Sequence, residues 1–185
     1  AHSFGIVHGA SVCAIGLAVP DVAAALERAR VLGIDRFEQA VGPDEIAIPS
    51  VRGVGGSLIY FMDSAQAEAV WAHEFSHPLE TAPAVPLLTA TDHIAQTMQY
   101  EEFLSWLLYY TALFDVSKTP QLEIADTLGL IQSQAVESPN RALRITLNGS
   151  QGAQTLSSRF IHNYMGAGVQ HIAFATADIF AAAEA

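Results

Sequence analysis

The stretch AIGLAVPDVAAALERARVLG, residues 14–33, combines a short apolar strand, a break at proline and an amphipathic helix. Two later stretches follow the same order, HIAQTMQYEEFLSWLLYYTALF from His93 and HIAFATADIFAAAEA from His171. Repetition of one pattern along a chain indicates a repeated supersecondary unit. The protein is therefore expected to consist of similar modules.

Two further features mark the repeat. The isoleucines near the start of the three stretches, Ile15, Ile94 and Ile172, are almost evenly spaced. Asp21 and Asp178 stand at the same distance after the first and the third isoleucine. An aspartate at this place can cap a helix, because its carboxylate accepts hydrogen bonds from free amides of the first turn.

The residues after each helix predict the rest of the module. Gly33 is a natural helix stop, and the runs IDRFEQAV, EIAIPSV and GSLIYFMD then have the composition of strands. The second stretch predicts a helix over 99–114 followed by the strands LEIADTL, GLIQSQAVES and ALRITLN, with a further helix in AQTLSSRFIHNYMG. Each complete module is therefore βαβββ.

This pattern predicts an α+β protein of tandem βαβββ modules whose last module is truncated. The first module covers residues 1–63 and the second, with its inserted helix, covers 87–167. Residues 168–185 start a further, incomplete module. Between the first two modules, residues 64–86 are rich in alanine and proline and are interpreted as a linker with room for one short helix.

Composition narrows the range of partners. The chain has 185 residues with 8 basic and 19 acidic side chains, for a formal net charge of −11. Such a surface repels phosphate backbones, which argues against a nucleic-acid partner. A single cysteine, Cys13, and the lack of a long apolar run or leader segment predict a soluble cytoplasmic protein without membrane contact. The first residue is Ala1, which indicates a processed chain or a fragment.

Two histidines occupy equivalent positions of the repeat. The residue before the leading isoleucine is Ala14 in the first stretch, His93 in the second and His171 in the third. Neutral imidazoles that converge from two rigid strands suit a metal ion. The alternative is that each histidine is an ordinary core residue with a satisfied hydrogen bond.

These segments resemble a known family. TDHIA at 91–95 and YMGAGVQHIAFATADIF at 164–180 resemble the two histidine motifs of 4-hydroxyphenylpyruvate dioxygenases, in the vicinal-oxygen-chelate (glyoxalase-like) superfamily. LGLIQSQAVESPNRALRITLN at 128–148 resembles the stretch between those motifs. VRGVGGSLIYFMD at 51–63 is similar to the dioxygenase-like half of bacterial two-domain 3-dehydroshikimate dehydratases.

The resemblance implies a mononuclear metal site. Its expected metal is Fe(II) or another divalent ion, held by two histidines and one carboxylate. His93 and His171 match the histidine ligands, and the expected substrate is a small 2-oxo acid or aromatic acid. Ser133, Asn148 and Gln170 match polar positions that line the family's substrate pocket. Read alone, Ser133 is an ordinary strand residue, Asn148 a turn residue and Gln170 a partner for backbone.

Two departures from the family limit this expectation. Leu156 stands where the family has a glutamine in the inserted helix. The third, carboxylate ligand is expected in the last strand of the module that opens at Gly168, beyond residue 185. The chain alone is therefore expected to bind metal weakly or not at all, without turnover of 4-hydroxyphenylpyruvate. It is expected to be part of a longer chain or a homo-oligomer.

Two other functions remain open. One is a non-catalytic structural or regulatory domain of a fused 3-dehydroshikimate dehydratase. The other is a zinc hydrolase, because His73, Glu74 and His77 in WAHEFSHPLE form H-E-x-x-H. Pro78 disfavours helical geometry at His77, which argues against a rigid pair of zinc ligands and favours a solvated or interface helix in the linker.

Overall fold

The structure is a computed structural model that describes residues 2–74, 87–126 and 128–184. Its helices are α1 His2–His8, α2 Val22–Val31, α3 Ser64–Glu74, α4 Tyr100–Leu113, α5 Leu156–Tyr164 and α6 Ile179–Glu184, with a short 3₁₀ helix at Val54–Gly56. Its strands are β1 Ala14–Ala18, β2 Arg36–Phe37, β3 Ser50–Arg52, β4 Leu58–Met62, β5 Ala90–Gln99, β6 Ser117–Lys118, β7 Leu122–Asp126, β8 Gly129–Glu137, β9 Arg144–Gln151 and β10 Gly168–Ala175.

The described residues form two compact units. Residues 12–74 belong to the first unit, whose sheet has the strand order β1-β4-β3-β2. Residues 2–11 and 87–184 belong to the second unit, whose sheet has the order β10-β5-β9-β8-β6, with β7 also paired to β8. The predicted α+β architecture is confirmed.

Both units share one pairing pattern. The first strand runs parallel to the last strand of its module, β1 beside β4 and β5 beside β9. The last strand in turn runs antiparallel to the strand before it, β3 beside β4 and β8 beside β9. The βαβββ repeat predicted from the sequence is therefore present in the strand pairing.

Helix ends agree with the predicted capping residues. The Asp21 carboxylate accepts a hydrogen bond from the backbone amide of Ala24 at 2.9 Å, and Gly33 follows α2 with a φ of +73°. Asp178 accepts hydrogen bonds from the amides of Phe180 and Ala181. These contacts satisfy amides that a helix end leaves without partners.

Several predicted strands are wrong in length. In the first module β2 and β3 are shorter than the runs 34–41 and 45–51. Proline has no amide hydrogen to donate, so Pro49 interrupts pairing within the second run, and β3 begins only at Ser50. The strand Ser117–Lys118 and the helix His2–His8 were not predicted, because both are too short to show periodicity in the sequence.

Helix α4 forms the core of the second unit. Its buried residues Phe103, Leu107, Tyr110 and Leu113 recur at helical spacing and face the sheet. The Tyr110 hydroxyl donates a hydrogen bond of 2.8 Å to the Gln96 side chain of β5. This contact fixes which face of β5 lies against α4. No described helix is long and apolar enough to span a membrane.

The contact between α5 and β10 yields a stability prediction. A methyl group at Gly168 would collide with the ring of Tyr164 and lie 2.6 Å from its Cζ atom. Because Tyr164 is buried, Gly168→Ala is expected to lower the free energy of unfolding by about 1–3 kcal/mol, measured by urea denaturation. The matched control is Gly5→Ala, where no heavy atom lies within 4 Å of the added methyl.

The clash can be checked independently. In a Tyr164→Leu background the added methyl meets a smaller side chain, so Gly168→Ala should cost less stability there than in the unmodified chain. Equal effects of Gly168→Ala and Gly5→Ala would show that the contact does not matter.

Candidate metal centre

His93 and His171 lie on the neighbouring strands β5 and β10, which pair antiparallel. His171 is opposite Ala95, and His93 is opposite Ala173. The two histidines are therefore diagonal neighbours on one face of the strand pair. Gln96 points toward α4, so the alternation of side chains along β5 directs His93 to the other face. This opposite face is called the histidine face below.

Each histidine follows a residue without a cross-strand partner. The register of β5 and β10 shifts between Val169 and His171, which leaves Gln170 as an extra residue. The register shifts again between Ala173 and Phe174, which pair with His93 and Thr91. Asp92, between these two partners, is therefore the extra residue of β5. Such β-bulges change the direction of neighbouring side chains and are common beside functional sites.

The two imidazole rings are close enough to share a metal ion. Their centroids are 5.6 Å apart and their planes meet at 78°. An imidazole nitrogen binds a metal such as zinc at roughly 2.0–2.1 Å, so rings at this separation can each direct one nitrogen to a single ion. Partial burial, together with the nearby His93, lowers the pKa of His171 and favours its neutral, metal-binding form.

Asp92 orients the His93 ring. The Nδ1 atom of His93 is 2.6 Å from the Oδ2 atom of Asp92. This hydrogen bond, assisted by the charge of Arg144, lowers the pKa of Asp92 and keeps its carboxyl group ionised. A carboxylate bound to one ring nitrogen leaves the other nitrogen available as a metal ligand.

Polar side chains surround the histidines on the same face. Ser133 and Asn148 are directly opposite each other on β8 and β9, and both are buried. His93 and Ser133 line a pocket of about 270 Å³ that also includes Thr146 and Arg144. Gln170 is the bulge residue beside His171 and is half-buried. The substrate-binding roles of Ser133, Asn148 and Gln170 stay predictions.

Two charged residues of this face were missed in the sequence analysis. Arg144 begins β9 and Glu137 ends β8, directly opposite each other. The period of two in ALRITLN places Arg144 on the same face as Asn148 and could have identified it. Leu156, where the family has glutamine, is exposed at the start of α5.

Two of the three expected ligands, His93 and His171, are among the described residues, and their role as ligands stays a prediction. Among residues 2–74, 87–126 and 128–184, no group of three histidine, cysteine or acidic side chains is arranged to hold a metal ion. The carboxylate nearest in sequence, Asp92, is occupied with the Nδ1 atom of His93. The third carboxylate ligand therefore stays a prediction for a segment outside these residues.

The H-E-x-x-H motif has structural contacts where it is described. His73 is exposed, as predicted, and its Nε2 atom is 2.6 Å from the carbonyl oxygen of Asp44. The Glu74 carboxylate accepts a hydrogen bond of 2.6 Å from the amide of Ile46. Both side chains thus connect the end of α3 by hydrogen bonds to the loop that contains Asp44 and Ile46. His77 lies outside the described residues.

The chain is similar to two groups of known proteins. Residues 1–76 match the family model described as hydroxyphenylpyruvate dioxygenase, N-terminal. A 3-dehydroshikimate dehydratase of Pseudomonas aeruginosa is 39% identical over 98% of this chain and 29% of its own length. A 4-hydroxyphenylpyruvate dioxygenase of Legionella pneumophila is 30% identical over 97% of this chain and 51% of its own length.

Solved structures agree with the fold. A fusion protein of a xylose isomerase-like TIM barrel and 4-hydroxyphenylpyruvate dioxygenase matches 99% of this chain and 28% of its own, at 35% identity and a TM-score of 0.76. A mutant 4-hydroxymandelate synthase from Streptomyces coelicolor matches 98% of this chain and 54% of its own with a TM-score of 0.80. Its 18% identity supports the fold alone.

The fold is that of an α+β protein of the glyoxalase type. Within this class, the chain is similar along nearly its whole length to 4-hydroxyphenylpyruvate dioxygenases and to 3-dehydroshikimate dehydratases. It spans about half the length of the Legionella dioxygenase and less than a third of the Pseudomonas dehydratase.

The lowered pKa of His171 gives a pH prediction. We expect the His171 ring, followed by NMR, to titrate below the ordinary imidazole value of about 6.5. The folded state then binds fewer protons than the unfolded state, so stability falls as pH drops through the unfolded value. His93→Gln should raise the His171 midpoint without restoring it fully, because the effect of burial remains. His162→Gln, on the exposed side of α5, is the control and should leave the midpoint unchanged.

Proposed function

We propose that this chain is a metal-binding domain of the dioxygenase type, in which His93 and His171 hold one divalent ion, expected to be Fe(II). The convergence of the two imidazoles, with ring centroids 5.6 Å apart on one face of β5 and β10, carries this proposal. Neutral nitrogen donors suit first-row transition metals, and Fe(II) in two-histidine, one-carboxylate sites is a recurrent case.

The pocket beside His93 fits a small acid. Its volume of about 270 Å³ is below the range of roughly 300–1,000 Å³ typical for drug-sized ligands. A bound metal would supply Lewis-acid binding of the carboxylate and keto oxygens of a 2-oxo acid. Ser133, at the pocket wall, offers a hydroxyl group to orient the substrate. Asn148 lies opposite Ser133 in the ladder and offers an amide on the same face.

A second candidate is a non-catalytic structural or regulatory role beside a dehydratase barrel. Sequence identity favours this candidate, since the chain is 39% identical to the Pseudomonas dehydratase and 30% identical to the Legionella dioxygenase. The 35% identity to the fusion protein with a TIM barrel also favours the structural or regulatory role. In such a protein the barrel would carry the dehydratase chemistry.

Metal binding is the first test of the proposal. Titration of the chain with Co(II), followed by visible absorption and calorimetry, is expected to show one weak site that depends on both histidines, because the described residues hold no group of three metal ligands. His93→Ala or His171→Ala should each weaken binding by more than about tenfold, because loss of a ligand costs more than loss of a residue that only supports one. His162→Ala, an exposed histidine of α5, is the matched control and should bind like the unmodified chain.

Substrate chelation separates the two candidates. Adding 4-hydroxyphenylpyruvate to the Co(II)-loaded chain should change the cobalt spectrum, whereas the 2-hydroxy analogue, which lacks the keto oxygen, should have a weaker effect. The change should be absent in His171→Ala. Metal binding without any response to 2-oxo acids would favour the structural or regulatory role. Binding that survives both histidine replacements would contradict the proposed site.

A further inference from the structure

Four charged or polar side chains form a continuous chain of contacts on the histidine face. Arg144 of β9 donates a hydrogen bond of 2.6 Å from Nε to the Glu137 carboxylate of β8. Its Nη1 atom lies 3.5 Å from Oδ2 of Asp92 on β5. The same oxygen of Asp92 accepts the 2.6 Å hydrogen bond from Nδ1 of His93. Three neighbouring strands are thus connected to one candidate metal ligand.

Backbone geometry makes these contacts possible. Glu137 and Arg144 are direct cross-strand partners, so their side chains lie on the same side of the sheet. In a regular strand, Asp92 and His93 would point to opposite faces. Because Asp92 is the extra residue of a bulge, its carboxylate turns to the side of His93 and reaches the ring.

The contact with Asp92 determines which nitrogen of His93 carries the proton. An ionised carboxylate can only accept hydrogen bonds, so the Nδ1 atom must be the donor. In the neutral ring the Nε2 atom then keeps its lone pair and can bind a metal. The tautomer suited to metal binding is therefore present before any metal arrives.

Arg144 holds the exposed carboxylate of Asp92 in place. The Asp92 side chain is 45% exposed, whereas that of Glu137 is only 17% exposed. An exposed pair of charges holds its geometry weakly. A guanidinium group has several donors in a fixed plane and can contact both carboxylates at once. Arg144 thereby ties the exposed Asp92 to the shielded Glu137.

We infer, on the basis of the proposed metal-binding function, that Arg144 is a positioning residue for His93 and acts through Asp92. It fixes the carboxylate, the carboxylate fixes the Nδ1–H tautomer, and the Nε2 atom of His93 is thereby directed to the metal. In this role Arg144 acts on His93 through Asp92 and is not a metal ligand.

The first experiment needs no metal. Long-range ¹H–¹⁵N NMR of the metal-free chain at pH 8.5, above the ordinary imidazole pKa of about 6.5, reports the protonated nitrogen of each ring. His93 is expected as the Nδ1–H tautomer in the unmodified chain and as a mixture of tautomers in Arg144→Met. Arg159→Met, the same change at an exposed position of α5, is the control and should leave the His93 signals unchanged.

The second experiment measures Co(II) affinity in a double-mutant cycle. Asp92→Ala and Arg144→Met are each expected to weaken binding by roughly 10-fold or more, as for residues that orient metal-bound histidines. If Arg144 acts through Asp92, the double variant should be little worse than Asp92→Ala alone. Arg144→Lys keeps the charge but offers a single ammonium group, so its Co(II) affinity should lie between those of Arg144→Met and the unmodified chain. Arg144→Lys also serves as the test variant if Arg144→Met does not fold.

The two experiments separate the inference from the proposed function. An Nε2–H tautomer or a mixture in the unmodified chain, or unchanged His93 signals in Arg144→Met and Arg144→Lys, would overturn the role of Arg144. Fully additive losses of Co(II) affinity would also overturn it. The expected tautomer together with no Co(II) binding would retain the positioning of His93 and reject the metal-binding function.

Discussion

The pairing of β5 with β10 is the constraint on which the candidate site depends. A regular antiparallel ladder would alternate side chains strictly between two faces, and Asp92 and Gln170 would then point away from the histidines that follow them. The two bulges relax this alternation in front of His93 and of His171. At Asp92 this irregularity brings a carboxylate oxygen within 2.6 Å of the His93 ring.

Sequence periodicity predicted the modules because both their helices and their strands repeat. The isoleucines Ile94 and Ile172 fall opposite each other in the β5–β10 ladder, so the histidines that precede them must approach each other. The equivalence of His93 and His171 follows from the repeat alone, whereas their approach depends on the pairing of β5 with β10. The same reasoning gave the capping role of Asp21, since a cap depends on residues only three positions away.

Other parts of the site could not be read from local patterns. The contact of Arg144 with Glu137 depends on the register of β8 against β9, which a single sequence does not show. The bulge at Asp92 depends on pairing with a strand almost eighty residues later in the chain. The length of β3 was also wrong, because the proline at position 49 was included in a run that its missing amide hydrogen interrupts.

Helix α1 makes the second unit discontinuous in sequence. The Nδ1 atom of His8 is 2.6 Å from the carbonyl oxygen of Tyr164, and its ring stacks on that of Tyr164 at 4.4 Å. During synthesis α1 therefore emerges long before the surface against which it packs. Closing so long a loop costs entropy and delays the contact, so the second unit is expected to complete its folding last. A fragment that begins after the first unit would expose the aromatic surface of α5 that α1 covers.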